Sequence, residues 1–130
     1  MTHPVLEALR GNEAQFTELR RYFHQHPEIG FEEHNTRDRV AALLQEWGYE
    51  VHRGLAKTGV VGTLKVGNGD KRLGLRADMD ALRLQEMNTF SYRSQNDGVM
   101  HACGHDAHTA SLMGAVILLA RHRDQMHGNV

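Results

Sequence analysis

Apolar residues recur at helical intervals along the first part of the chain. Leu6, Leu9, Phe16, Leu19 and Phe23 fall near a 3.6-residue period, with Glu7, Arg10, Glu13, Glu18 and Arg20 between them. That pattern predicts an amphipathic helix over 4–26. Gly11-Asn12 weakens its first half, and Pro27 ends it by pushing His26 toward extended geometry. Val40, Leu43, Leu44 and Trp47 predict a second helix over 32–47, with Gly48 as its C-terminal stop. Tyr49 to His52 reads as a short strand.

Two β-rich runs follow, 59–66 and 72–77, separated by Gly67-Asn68-Gly69-Asp70. An Asn-Gly turn between such runs predicts a hairpin. Residues 84–99 are polar and irregular and read as a loop. Leu112, Met113, Val116, Ile117, Leu119 and Ala120 predict a helix over 106–122, apolar on more than one face, as expected for a helix packed deep against a sheet. The class is therefore α/β, with helices packed on a mixed β-sheet. The chain shows no internal repeat, low-complexity segment or linker.

Composition narrows the reading. A chain of 130 residues with 40% hydrophobic and 24% charged content is one ordinary globular domain with room for a core. Its formal net charge of -1 gives no electrostatic reason for a nucleic-acid or anionic-membrane partner. The N-terminus lacks the basic start and apolar run of a signal peptide, and no stretch is apolar for long enough to cross a bilayer. A single cysteine excludes an internal disulfide, so a reducing, cytoplasmic setting is expected.

The densest chemistry lies in Met100-His101-Ala102-Cys103-Gly104-His105-Asp106-Ala107-His108-Thr109-Ala110. Thiolate and imidazole are preferred ligands of a borderline-soft divalent metal such as zinc. In an extended segment Cys103 and His105 leave the same side of the backbone, and Gly104 lets the chain bend between them. Asp106 is either a further ligand or a group that orients an imidazole. A second cluster, Asp78-Met79-Asp80, follows the run 72–77, and ligands gather beyond the carboxyl ends of strands in open α/β sheets. Its aspartates either ligate a metal, hold a ligating imidazole, or are solvated turn residues. His24, His26, His34, His52, His122 and His127 are scattered without shared spacing; most are expected at surface or helix-end positions, and none is read as a ligand.

These stretches, taken together, resemble a known family. The run Arg20 to Glu33 (RRYFHQHPEIGFEE), Gly59-Val60-Val61-Gly62, Arg76 to Leu82 and Gly98 to Ala110 occur in the order found in the N-terminal part of metal-dependent amidohydrolases. That group includes hippurate hydrolase, N-acyl-amino-acid amidohydrolases and the auxin-conjugate hydrolases, within the aminoacylase and carboxypeptidase superfamily of metallopeptidases. One departure is Arg83, where the family commonly has proline.

The resemblance implies that residues 1–130 are the N-terminal portion of a metallopeptidase-type catalytic domain, without the dimerisation domain through which family members form homo-oligomers. It implies that Cys103 and His105 are metal ligands and that Asp80 lies beside the metal and orients the site. Asp78 stands where distant members carry a ligating histidine. The implied cofactor is a pair of divalent metals (zinc, manganese, nickel or cobalt), and the implied substrate is a small N-acyl amino acid, cleaved at its amide. The family's general base is a glutamate beyond a Gly-Asn-Val-like sequence, and this chain ends at Gly128-Asn129-Val130. The 130-residue chain is thus expected to be a truncated portion, inactive alone. The alternatives are a non-catalytic metal-binding module or a self-associating remnant.

Overall fold

A computed structural model describes residues 3–126 and 128–130; His127 lies outside the described residues. Helices α1 (Pro4–Arg10), α2 (Glu13–Gln25) and α3 (His34–Glu46) precede strands β1 (Glu50–Leu55) and β2 (Gly59–Thr63). Helix α4 (His105–Arg121) and a 3₁₀ turn over Arg123–Gln125 follow. The α/β class holds. None of the described helices is long and apolar enough to cross a membrane.

The single helix expected over 4–26 is two. Gly11 and Asn12 break it: Asn12 turns its side-chain amide back to the Ala8 carbonyl, 3.0 Å away, in competition with the helical ladder. The break leaves α1 without a buried residue, so Leu6 is exposed rather than part of the core. Leu19 and Phe23 of α2 are buried as the period requires.

Helix α3 starts and stops for visible reasons. The Glu28 carboxylate accepts from the Asn35 and Thr36 amides at 3.0 and 2.7 Å, meeting first-turn donors that have no partner inside the helix. At the other end Gly48 has φ +89°, the Tyr49 amide reaches Leu44 O, and the Gly48 amide reaches Gln45 O. This is the paired closure that glycine permits just beyond a helix.

The second correction concerns the hairpin. β2 pairs antiparallel with β1, with Val51 opposite Gly62 and His52 opposite Val61, and does not pair with 72–77. Two C-terminal residues separate the runs that were expected to pair. Val130 and Leu64 exchange amide hydrogen bonds of 3.0 and 2.7 Å, while Asn129 bonds Lys71 and Leu73 at 3.1 and 2.9 Å. The Asn129 side chain also takes the Val66 amide and donates to Gly69 O, both at 3.0 Å, so the glycine-rich link is held open. Single bridge pairs (Ile29 with Ala81 and Arg72 with Asn129, parallel; Leu82 with Met100, antiparallel) complete the mixed strand contacts.

The core joins α2, α3 and α4 through Leu19, Phe23, Val40, Leu43, Leu44, Met113, Val116 and Ala120, with Tyr49 and Leu64 from the strand layer. Tyr49 donates its hydroxyl to Val116 O at 2.7 Å, which satisfies a polar group buried in that core. Helix α4 buries Thr109, Ala110, Met113, Gly114, Val116, Ile117 and Ala120, more than one stripe, as predicted.

Gly59 faces the Leu55 carbonyl so closely that an added Cβ would collide with backbone, whereas Gly74 has open space. Gly59→Ala is expected to lower stability by about 1–3 kcal/mol in urea unfolding. Gly74→Ala should leave the midpoint unchanged or raise it.

Candidate metal centre

Two segments meet at the N-terminal end of α4. The first, 78–82, is extended and tethered at its end: the Ala81 amide donates to Glu28 O at 2.8 Å, and Leu82 exchanges amide bonds with Met100. The second is the turn through Cys103 and Gly104. Gly104 has φ +88°, a left-handed conformation that glycine enters without strain, and His105 opens the helix directly after it.

That turn brings His105 onto Asp80. Its Nδ1 lies 2.9 Å from Asp80 Oδ1 and 3.0 Å from Asp80 O, so the Nδ1–H donates and the Nε2 lone pair is free. Nε2 faces Asp78, with Oδ2 at 3.8 Å. His108, one helical turn on, brings its ring to 5.4 Å from that of His105. One ligand atom from each of Asp78, His105 and His108 falls within 4.8 Å of the others. Thr109 fastens this arrangement by donating to Asp78 O at 2.8 Å. Asp78 and His105 are half-buried and His108 is exposed, so the cluster is open on one side.

A carboxylate and two imidazoles suit zinc, manganese or cobalt. An imidazole whose far nitrogen is held by a carboxylate is the usual form of a metal-ligating histidine. The donor set therefore fits a divalent cation. Cys103 sits exposed on the preceding turn and is not part of the three-residue group.

Asp106 is not in the group either. It is 1% exposed and turned away, its Oδ2 taking Arg20 Nε at 3.0 Å and His24 Nδ1 at 2.9 Å. His24, in the last turn of α2, is at a helix end as expected but is buried rather than exposed, and its Nε2 lies 2.7 Å from Glu86. Arg20 and His24 are four apart on α2 and share a face, a sequence signal for a common partner. Glu86, inside the polar loop, had no such signal.

His101 is buried, and neither ring nitrogen has a hydrogen-bond partner among the described residues. Burial pushes it down to about 4, against the pull of Asp106 and with help from His24 and His105, which keeps the ring neutral.

The chain is similar to several known proteins. Residues 74–130 match peptidase family M20/M25/M40. The chain is 54% identical over 108 residues to hippurate hydrolase of Campylobacter jejuni, covering 83% of this chain and 28% of that protein. It is 43% identical over 111 residues to N-acyl-L-amino acid amidohydrolase of Geobacillus stearothermophilus, covering 85% and 30%. The crystal structure of Bacillus subtilis YXEP, a dinuclear metal-binding peptidase of the M20 family, superposes with a TM-score of 0.87 at 37% identity, over 93% of this chain and 34% of that one. The chain thus spans less than a third of the curated relatives' length.

The His101 environment predicts a pH dependence. An unfolded histidine takes up its proton below about 6.5, and the folded His101 only near about 4. The unfolded state binds more protons between those values, so stability should fall as pH drops through that window. In urea unfolding, the loss of midpoint between pH ~7 and ~4.5, the window set by that linkage, should be smaller for His101→Leu than for the wild type.

Proposed function

With the sequence and fold of the N-terminal part of peptidase family M20/M25/M40, this chain is, we propose, the metal-holding portion of a hydrolase that cleaves the amide of N-acyl amino acids. One observation carries the reading: His105 is held at Nδ1 by Asp80 and presents its free Nε2 among the oxygens and nitrogens of Asp78 and His108. The names of the relatives supply the substrate class, hippurate and other N-acyl amino acids.

His105 and Cys103 are the ligands proposed for zinc, manganese, nickel or cobalt, with Asp78 and His108 as the donors grouped with His105. When bound, a divalent metal supplies Lewis-acid polarisation of the amide carbonyl and lowers the pKa of water. Asp80 keeps the His105 proton on Nδ1, so the nitrogen that faces the cluster stays a lone-pair donor. The open side beside His108 is where a small substrate enters. Residues 1–130 are the first portion of the catalytic domain in this reading. A two-metal centre and a homo-oligomer built through a separate dimerisation domain belong to the longer protein. A cytoplasmic setting keeps the Cys103 thiol reduced.

A second reading rests on a different observation. Leu73 and Leu75 are exposed on the wall of a cavity of about 710 Å³ between β2 and the 72–77 run. Apolar walls of this kind favour self-association of the 130-residue chain.

Metal binding is tested by cobalt titration. The wild type should develop a thiolate charge-transfer band that is absent in Cys103→Ser. Asp80→Asn should weaken binding by about 10–100-fold, as loss of an imidazole-orienting carboxylate does. A folded wild-type chain with no cobalt spectrum would overturn the metal reading.

Activity is the sharper test. This reading gives Asp78 and Asp80 to the metal site and assigns no base for water among the described residues, and general-base assistance is worth about 10²–10⁴-fold. Hippurate hydrolysis by this chain should lie at background with added manganese, cobalt or zinc. A chimera carrying it in front of the remainder of the Campylobacter jejuni relative should turn over, and Cys103→Ala or His105→Ala should abolish that turnover. Metal-dependent hydrolysis by residues 1–130 alone would overturn this reading and turn the search for a base to Asp78, Asp80, Asp106 and His108. If the chimera is inert while sedimentation shows stable oligomers of the chain, the self-association reading takes over.

A further inference from the structure

Behind the donor cluster, and outside it, lies a chain of hydrogen-bonded polar side chains, most of them buried. His24 is 3% exposed and stands between two buried carboxylates, with Nδ1 2.9 Å from Asp106 Oδ2 and Nε2 2.7 Å from Glu86 Oε1. Arg20 Nε reaches the same Asp106 oxygen at 3.0 Å, and the Ser94 amide donates to Glu86 at 3.3 Å. Buried carboxylates are tolerated only when paired and hydrogen-bonded. Both ring nitrogens donate only when both carry a proton, and the charges of Arg20, His24, Asp106 and Glu86 then sum to zero.

The location of Asp106 gives this chain of bonds its consequence. Asp106 lies between His105 and His108 on the first turn of α4, and Gly104 at the N-cap has no side chain to hold that turn. The turn is therefore placed by what its side chains grip. His105 and Thr109 grip the 78–80 segment on one side, and Asp106 grips α2 on the other. Through Glu86, His24 also ties the 83–99 loop to the same point, and that loop returns through the Leu82–Met100 pair into the segment leading to Cys103.

We infer that His24 is a positioning residue for the donor cluster: by bridging Asp106 and Glu86 it sets where His105 and His108 stand on α4. It touches neither. The effect on metal affinity rests on the reading of the cluster as a metal centre; the effect on the two imidazoles does not.

The test uses the 130-residue chain, with cobalt as the probe, and three variants. In His24→Gln, whose side chain cannot donate at both ends, the NMR imidazole signals of His105 and His108 should shift. The His108 amide, which closes the first turn of α4 onto Gly104 O, should exchange about tenfold faster, the scale of one lost buried hydrogen bond. Cobalt should bind about tenfold more weakly. Glu86→Gln keeps an acceptor but removes a charge; it should shift the same signals by less, and it decides the question if His24→Gln fails to fold. Thr58→Val breaks a buried 2.6 Å bond to Glu33 away from the cluster, and should lower stability while leaving both imidazoles and cobalt affinity as in the wild type. Unmoved imidazole signals in the folded His24 or Glu86 variant, or equal shifts in Thr58→Val, would overturn the inference. If the wild type takes up no cobalt yet the imidazoles move in His24→Gln, positioning stands and the metal reading fails.

Discussion

The site depends on the hydrogen bond from His105 Nδ1 to the Asp80 carboxylate. An imidazole has two nitrogens that exchange roles, and a carboxylate on one decides which is left to act as a lone-pair donor. The partners are 25 residues apart, so the bond exists only because two separate segments are each held still. The aspartate segment is pinned by backbone bonds to Glu28 and Met100. The histidine is carried by a helix whose Met113, Val116 and Ala120 are locked into the core. Packing far from the cluster thus becomes precision at the cluster.

The sequence stretch from Arg20 to Glu33 contributes no residue to the donor group, yet it fastens nearly everything around it. Arg20 and His24 grip Asp106. The Pro27 carbonyl takes the Asn96 side chain, the Glu28 carbonyl takes the Ala81 amide, and the Glu28 carboxylate caps α3. Glu33 accepts from Thr58 at the β1–β2 turn. One segment bonded to both donor-bearing elements, to a neighbouring helix and to a strand turn works as a bracket.

Burying that much polarity is favourable only if each group finds its partner. Glu86, Asp106 and His24 do so with one another. His101 is the exception, and its ring responds by staying neutral under burial. In the same region, His24 is hydrogen-bonded to two carboxylates while His101 has no hydrogen-bond partner among the described residues.

Elements governed by local periodicity were legible in the sequence. The burial faces of α2, α3 and α4 follow from the spacing of Leu19 and Phe23, of Val40, Leu43 and Leu44, and of Met113, Val116 and Ala120. Gly48 announced its own helix end. The chemistry of the cluster was legible as composition, because Asp78, Asp80, His105 and His108 fall in two short runs. What the sequence alone left undecided are the choices made between distant segments. The Asn-Gly link pointed to a hairpin, but Asn129 enters between its arms and β1 takes the free edge of β2, since strand pairing is decided by whichever edge tertiary packing brings alongside. Asp106 and His108 are two apart in sequence, yet one is buried against α2 and the other faces the open cluster. Helix positions two apart point about 200° apart, so only the docking of α4 determines which of them joins the donor cluster and which meets a histidine.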